Sequence, residues 1–348
     1  MKILVFYPEK HWVARFYRGS AVLERMRDPK GLSFMRYNPK RDLWEQALGA
    51  DVALFVRNTM PDDYKAMLCM KDLGIKTWYD LDDDYLNVPL YQDAFPFYQA
   101  EPVREAVKGM MKDADYMTVS TPGLKEAVEK HRKGPIEIIP NSLDEMAFKD
   151  IMEYPHKEGD QLKYSWRGGE SHDADLEGFR ESFLLFHEKA PKEVKFIFLG
   201  HIYWQLFFDP VKNMRHEDRI ERFHYGSYVQ DFYKFVLSFR EKIHPHFHFV
   251  PLINNEFNRS KSCISAIEGI YAGAIPIVPA YLGEEWAIPG ALQYNNPQEA
   301  GEILLKSTRA GYEEHKMRWM ACAKWVKKNR LLSKANAQRL SILKRLGS

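Results

Sequence analysis

The stretch Pro251-Leu252-Ile253-Asn254-Asn255-Glu256-Phe257-Asn258-Arg259-Ser260-Lys261-Ser262-Cys263-Ile264-Ser265-Ala266-Ile267-Glu268-Gly269-Ile270-Tyr271-Ala272-Gly273-Ala274-Ile275-Pro276-Ile277-Val278 decides the fold. An apolar run ending at Leu252 meets a polar turn, then a stretch of helical period, then a second apolar run at Ile275 to Val278. The pattern predicts a helix over Ser260 to Ala272, with Gly273 as the residue that ends it. Arg259, Ser260, Lys261 and Ser262 gather at the expected helix start. Unpaired N–H groups and the helix dipole favour an anion there, and these side chains with Asn258 add donors suited to phosphate oxygens. Lys261 and Glu268 lie seven positions apart, on one face of a helix and roughly 10.5 Å apart along its axis. That is the reach from a diphosphate to the ribose of its nucleotide, so Lys261 could hold phosphate while Glu268 takes ribose hydroxyls. An exposed helix with a surface Lys and Glu carries the same pattern.

The alternation of short apolar runs with helical stretches extends to both sides. Upstream, strands are expected at Leu162 to Trp166, Val194 to Leu199 and Phe247 to Leu252, with helices at Asp173 to Lys189 and Val229 to Phe239. In the first half, strands are expected at Ile3 to Tyr7, Val52 to Val56, Lys76 to Asp80, Tyr116 to Val119 and Ile136 to Ile139. Helices fall at Tyr64 to Leu73, Glu101 to Lys112 and Pro122 to Lys130, the last opened by Thr121-Pro122. From Asn141 to Asp160 the pattern lapses. The reading is therefore α/β, two Rossmann-like domains with parallel sheets facing a central cleft. Residues 1–145 form the first domain, 146–160 the linker, 161–320 the second domain and 321–348 a basic helical segment packing back on the body.

Composition narrows the function classes. With 348 residues, 50 Lys+Arg and 48 Asp+Glu, the formal charge is +2, too near balance for a general polyanion binder. The hydrophobic share of 45% excludes a disordered chain. No run approaches the roughly 18 apolar residues of a spanning helix, and Met1 to Pro8 is too soon broken for a signal peptide. Cys69, Cys263 and Cys322 are odd in number, far apart and without CxxC spacing, so a cytoplasmic setting is expected. The C-terminal stretch from Ala321 carries Lys324, Lys327, Lys328, Arg330, Lys334, Arg339, Lys344 and Arg345 and no acid. Interleaved Trp325, Leu331, Leu332, Leu340, Ile342 and Leu343 suggest helices with one packed face; the other reading is a nucleic-acid or anionic-lipid surface.

Arg167-Gly168-Gly169-Glu170-Ser171-His172 follows the second domain's first strand. Glycines let the backbone approach a ligand and Arg167 suits a diphosphate, with His172 a further candidate; a plain strand-helix turn needs glycine too. His201, His224, His244, His246 and His248 read as satisfied or exposed histidines rather than metal ligands, and Tyr203, Trp204, Phe207 and Phe208 as core.

The central stretch resembles the C-terminal half of GT-B glycosyltransferases, in particular family 4 and related phage-encoded enzymes. Phe257-Asn258-Arg259-Ser260-Lys261-Ser262, Glu268 and Gly273-Ala274-Ile275-Pro276 match that pattern in order and spacing. Asp80-Leu81-Asp82-Asp83-Asp84-Tyr85 with Val88-Pro89, Ala114 to Thr121 with Leu124, and Ile139-Pro140-Asn141-Ser142-Leu143-Asp144 look like three further family segments, so the resemblance covers most of the chain. It implies transfer of a hexose from a UDP- or GDP-sugar, with no bound cofactor or metal and retention of configuration. The acceptor would be a cell-envelope saccharide or a hydroxymethylated base of phage DNA, in the host cytoplasm if the protein is phage-encoded. Arg167 and Lys261 would stabilise the leaving diphosphate, Glu268 would anchor the ribose, and Asp82 or Asp84 would orient or deprotonate the acceptor hydroxyl. Two features depart from the family. Ser260 stands where a first glutamate is common, and the glycine-rich loop after the first strand is missing, for which Arg18, with Arg15, could substitute by charge. A non-catalytic sugar-nucleotide or saccharide binding module of the same fold is the alternative.

Overall fold

The computed structural model describes residues 1–7, 16–26, 31–203, 208–209, 214–215, 220–223 and 232–347. It has two compact units. Unit 1 comprises Met1–Ser142, Arg259–Ser262 and Leu332–Ser348; unit 2 comprises Leu143–Asn258 and Cys263–Leu331.

Unit 1 is built on strands β1 (Lys2–Phe6), β2 (Ser33–Arg36), β3 (Val52–Val56), β4 (Lys76–Leu81), β5 (Tyr116–Val119) and β6 (Ile136–Ile138). They lie in the order β2-β1-β3-β4-β5-β6 and every pairing is parallel. Alternate side chains point to opposite faces, and in β1 and β3 both faces are covered, which is why Ile3 to Phe6 and Val52 to Val56 read as unbroken apolar runs. Leu4, Phe6, Ala53, Phe55, Tyr79 and Leu81 pack under the helices Pro61–Asp72, Glu101–Asp113 and Pro122–Glu129 through Met67, Met70, Val107, Met110, Leu124 and Val128. Ile3, Val5, Val52, Leu54 and Trp78 pack on the other face against Leu23 and against Ala335, Ile342 and Leu343 of the final helix, Leu332–Leu346. Thr121 caps its helix as expected, accepting from the Leu124 N–H at 3.1 Å.

A buried charge cluster sits inside this unit. Arg18, 1% exposed, donates from Nε to Asp80 Oδ2 at 2.8 Å, pairs through Nη2 with Asp80 Oδ1, and donates through Nη1 to the Ile139 carbonyl. Thr118 donates to the same carboxylate, and Trp78 Nε1 donates to Thr118 at 2.8 Å. Arg339, also buried, donates to Asn336 Oδ1, and Asn336 donates to the Val22 carbonyl. Burial and then the Arg18 charge push the Arg339 guanidinium down to about 9, with Asp80 opposing. The expectation that Arg18 holds a diphosphate is corrected: its guanidinium is committed to Asp80 and shielded from solvent. Arg15 lies outside the described residues. Replacing Arg18 with Met strands the Asp80 carboxylate, and urea unfolding is expected to show a loss of about 3–5 kcal/mol.

Unit 2 contains β7 (Lys163–Gly168), β8 (Lys195–Gly200), the short antiparallel pair β9 (Phe208–Asp209) and β10 (Met214–Arg215), then β11 (Ile220–Phe223), β12 (Phe247–Phe249), β13 (Ile275–Pro279) and β14 (Leu292–Tyr294). Its parallel sheet runs β11-β8-β7-β12-β13-β14. Counted from its own first strand, this is the Rossmann order 3-2-1-4-5-6. Aromatic rings fill much of the core: Phe183 lies 5.3 Å from Phe196 and 5.4 Å from Phe249 between ring centres, and Tyr164 stacks on Phe247 at 4.9 Å.

Several sequence expectations shift. The helix expected over Asp173 to Lys189 is broken into Asp173–Gly178 and Arg180–Lys189; a Cβ on Gly178 would stand 2.6 Å from Ile253 Cγ2. The stretch from Leu143 carries core after all, since Leu143, Phe148 and Ile151 are buried and Leu143 bridges Leu331. Ala321 falls inside a longer helix, Tyr312–Asn329. Three cations of the basic C-terminal stretch are already engaged: Arg330 pairs with Glu285 at 2.7 Å, Arg339 is buried, and Arg345 pairs with Glu137 at 2.7 Å. Among the described residues, no helix is long and apolar enough to cross a membrane. Trp204, Phe207 and His224 lie outside the described residues.

Four of the remaining histidines are buried with depressed basicity. His156 stacks on His246 at 3.8 Å and its Nε2 bonds the Pro245 and Gly273 carbonyls; His315 bonds Tyr154 and the His246 carbonyl. Burial pushes His156 and His315 down to about 4, His246 to about 2 and His248 to about 3. Each is neutral in the fold and ionises more readily once unfolded, so the stability it supports is complete above about pH 6.5 and falls as pH drops toward 4. The urea midpoint is expected to fall over that window, less steeply in His246→Gln; equal slopes would remove the cluster as the cause.

Candidate functional site

In a doubly wound sheet, neighbouring crossovers that leave on opposite faces open a crevice beyond the strands' carboxyl ends. In unit 2 that switch point lies between β7 and β12. The segments that leave those two strands are the two the sequence singled out: Arg167 to His172, and the polar turn leading to Asn258.

Arg167 closes β7, and its Nε forms an ion pair with Glu268 Oε2. Glu268 lies on the helix Ile264–Tyr271 and has no exposed surface, whereas the Arg167 side chain is 17% exposed. Glu268 therefore holds Arg167 in this conformation rather than presenting a carboxylate to a ribose, which corrects its expected role. Its helix sits close on the sheet because Gly269 has no side chain; a Cβ there would stand 2.7 Å from His248 Cβ. His248 is itself fixed between Ser165 and Ser265, each at 2.9 Å.

Gly168 is small for a packing reason, since a Cβ would meet the Trp166 ring at 2.4 Å and His172 Cδ2 at 3.1 Å. A Cβ on Gly169 would meet nothing within 4 Å. His172 pairs through Nδ1 with Asp175 Oδ2 at 2.9 Å, and Asp175 is 1% exposed. The other oxygen, Oδ1, accepts from the Ile253 N–H at 3.0 Å and from Asn258 Nδ2 at 2.8 Å. Asn258 Nδ2 also donates to the Ile253 carbonyl at 2.9 Å, so Asn258 is a buried brace of the turn and not a ligand donor. His201, at the end of β8, is held by Asp173 at 2.8 Å.

The expected helix start is displaced. Glu256–Arg259 forms one turn, and the next helix begins only at Ile264. Lys261 therefore precedes the helix, and the seven-residue spacing to Glu268 does not describe one helical face. The N–H of Cys263, at that start, goes to Glu285 Oε1 at 3.1 Å, and Glu285 is paired with Arg330. A carboxylate of the chain itself thus occupies part of the predicted anion site. Arg259–Ser262 belongs to unit 1, where Thr121 donates to the Ser260 carbonyl at 2.8 Å and a Cβ on Gly123 would stand 2.2 Å from the Arg259 carbonyl. Ser260 is buried, and the Ser262 hydroxyl is buried without a hydrogen-bond partner.

In unit 1, Asp82-Asp83-Asp84 lies at the carboxyl end of β4. Arg57 reaches Asp82 at 3.0 Å and Asp83 at 3.1 Å and donates to Tyr85 Oη at 2.6 Å. This guanidinium bridges the two carboxylates. Arg57 adopts φ 58°, a left-handed backbone that costs a residue with a side chain on the order of 1–3 kcal/mol. Asp84 is buried and accepts from Asn87 at 2.8 Å. Burial raises the Asp82 and Asp84 carboxyls above the usual range, with Arg57 opposing at Asp82. Neither is a loose base: one is clamped, the other enclosed. Among the described residues no group of three or more His, Cys, Asp and Glu could hold a metal ion. Arg57, Asp175 and Glu285 escaped the sequence reading; the one signal for Arg57 was its place directly after a buried strand.

Changing Glu268 to Gln leaves the Arg167 cation without its carboxylate. Urea unfolding is expected to show a loss of about 1–3 kcal/mol, and a loss within error of zero would remove this pair from the structure's supports.

No protein-family model matches the sequence, and no curated protein does. Solved structures match across the whole chain. Sucrose-phosphate synthase from Thermosynechococcus elongatus superposes with a TM-score of 0.66 at 11% identity, covering 99% of this chain and 98% of that one. The α,α-trehalose-phosphate synthase (UDP-forming) from Burkholderia vietnamiensis gives 0.63 at 12%, covering 99% and 98%. An α-glucosyltransferase solved with UDP-glucose and DNA containing an abasic site gives 0.63 at 12%, covering 99% of each. With two parallel six-stranded sheets and these neighbours, the chain has the fold of the GT-B glycosyltransferases.

Proposed function

We propose that the chain transfers a hexose from a nucleotide diphosphate sugar to a hydroxyl of an uncharged saccharide. The observation that carries this reading is the composition of the β7/β12 switch point: a partly exposed Arg167 backed by buried Glu268, beside a histidine fixed by buried Asp175. A cation held at the carboxyl edge of a Rossmann-ordered sheet suits a diphosphate. Two neighbours favour a UDP-linked donor, one being UDP-forming and one having been solved with UDP-glucose.

In the reaction, the bond between the anomeric carbon and the leaving diphosphate breaks and a bond from the acceptor oxygen forms. The acceptor proton passes to the departing phosphate oxygen, on the same face, so configuration is retained. Arg167 supplies positive charge that gains in value as the diphosphate leaves. Asp82 and Asp84 shape the acceptor side.

The acceptor reading rests on charge. Between Lys76 and Arg104 the chain has no basic residue; Asp80 is paired with Arg18, Asp82 and Asp83 with Arg57, and Asp84 is buried, while Asp93 and Glu101 are exposed together with Leu90, Tyr91 and Phe97. Exposed rings with acids and no cation beside them in sequence suit a neutral sugar better than a polyanion. The exposed lysines of the last two helices keep a DNA acceptor as the second reading.

Thermal unfolding against a panel of nucleotides and nucleotide sugars, with and without magnesium, tests the donor. One nucleotide diphosphate or its sugar is expected to stabilise the chain selectively, by about 2.7 kcal/mol at a hundred times its dissociation constant. Arg167→Ala is expected to abolish the shift. No shift with any member would overturn the reading in favour of a different ligand class, and transfer to duplex DNA but not to neutral glycans would overturn the acceptor assignment.

A further inference from the structure

One buried carboxylate links the two segments of the β7/β12 switch point. Asp175 sits in the helix Asp173–Gly178, 1% exposed; one oxygen is used within its own segment and the other across the sheet edge. Oδ2 accepts from His172 Nδ1 at 2.9 Å; Oδ1 accepts from the Ile253 N–H at 3.0 Å and from Asn258 Nδ2 at 2.8 Å. All three contacts are within hydrogen-bond range, and they reach 78 positions along the chain to Ile253 and 83 to Asn258. Neither motif's own spacing requires this partner.

The carboxylate has two consequences. An ionised carboxylate only accepts, so the bond to His172 requires a proton on Nδ1, and in the neutral ring the lone pair is then on Nε2. The ring is also fixed in position, with Cδ2 against Gly168. On the other oxygen, the Ile253 N–H and the Asn258 amide are drawn together, which sets the turn from which the chain runs into Arg259-Ser260-Lys261. Asn258 Nδ2 has two acceptors, Asp175 and the Ile253 carbonyl, so its amide orientation is fixed as well.

We propose that Asp175 is a positioning residue of the donor site: it selects the tautomer of His172 with one oxygen and fixes the Ile253–Asn258 turn with the other. This rests on the reading of the switch point as the site for a nucleotide sugar. Asp175 itself touches no ligand; it acts through His172 and the turn.

The two oxygens can be separated by mutation. In Asp175→Asn the retained Oδ1 still accepts from Ile253 and Asn258, but the new amide offers His172 an N–H, which demands a lone pair on Nδ1 and moves the ring proton to Nε2. In Asp175→Ala both functions go. Correlation of the His172 ring nitrogens with their carbon-bound protons by NMR, on the full-length chain, reads the tautomer without any ligand. The proton is expected on Nδ1 in the wild type and on Nε2 in Asp175→Asn. A wild-type proton on Nε2 would overturn the proposal whether or not the protein is a transferase.

Steady-state transfer from UDP-glucose then reads the positioning. Asp175→Asn is expected to lower kcat by on the order of ten-fold or more, leave the donor KM within about two-fold, and change the pH profile. Asn258→Ala is expected to raise the donor KM instead, and Asp175→Ala to do both. With His172→Ala already present, Asp175→Asn is expected to cost nothing further. Additive losses in that double mutant, or losses that follow only the fall in melting temperature, would reduce Asp175 to a structural residue. Absence of turnover and of nucleotide binding in the wild type, with the ring proton on Nδ1 and moved by Asp175→Asn, would sink the transferase reading and leave the tautomer assignment standing.

Discussion

A parallel sheet sends every strand's carboxyl end to the same edge, and this constraint organises the whole molecule. Because each strand must be followed by a crossover, residues distant in sequence arrive side by side at that edge without any local signal. In unit 2, Arg167 and the turn after β12 meet there, and Glu268 and Asp175 come from the crossover helices that flank them. In unit 1, Arg57 from the end of β3 closes on Asp82 and Asp83 from the end of β4. The chemistry is therefore assembled by topology first and by side-chain pairing second.

The two units solve the problem of charge at a dry edge in the same manner. Arg18 with Asp80, Arg57 with Asp82, Arg167 with Glu268 and Arg330 with Glu285 are four arginine–carboxylate pairs in which at least one member is nearly inaccessible. Desolvating both ions is costly, and such pairs add little net stability over apolar replacements. What they confer is fixed geometry, most strictly in Arg18, whose planar guanidinium is forked onto both oxygens of Asp80. Arg57, Arg167 and Arg330 retain some exposure, and the first two stand at strand ends where a ligand would be met.

Much of the architecture was legible in residues 52–56, 116–119 and 275–278, where a run of apolar side chains buried on both faces admits few readings besides a parallel strand. The Thr121-Pro122 helix start was legible because its cap is local. The polar turn before Ile264 was not: Ser260, Lys261 and Ser262 have the composition of a helix start, yet the Ser260 carbonyl is held by Thr121, 139 positions away within unit 1, and the helix waits until Cys263 meets Glu285. Arg18 was misread for the same reason, since nothing near it in sequence foretells Asp80, Ile139 and Asn141. Local patterns were readable; partners more than sixty residues away were not.

The chain's route between the units has a consequence for biosynthesis. One face of the β1–β6 sheet is covered by Ala335, Ile342 and Leu343, which are made after the whole of unit 2. Unit 2, by contrast, is complete at Leu331. At synthesis rates of roughly 5–20 residues per second, the unit whose strands emerge first waits through the whole of unit 2 before the helix Leu332–Leu346 can complete the cover over Ile3, Val5 and Val52. The later-made unit can thus close first, and a truncation of only the last helix would strike the N-terminal sheet rather than the domain it follows in sequence.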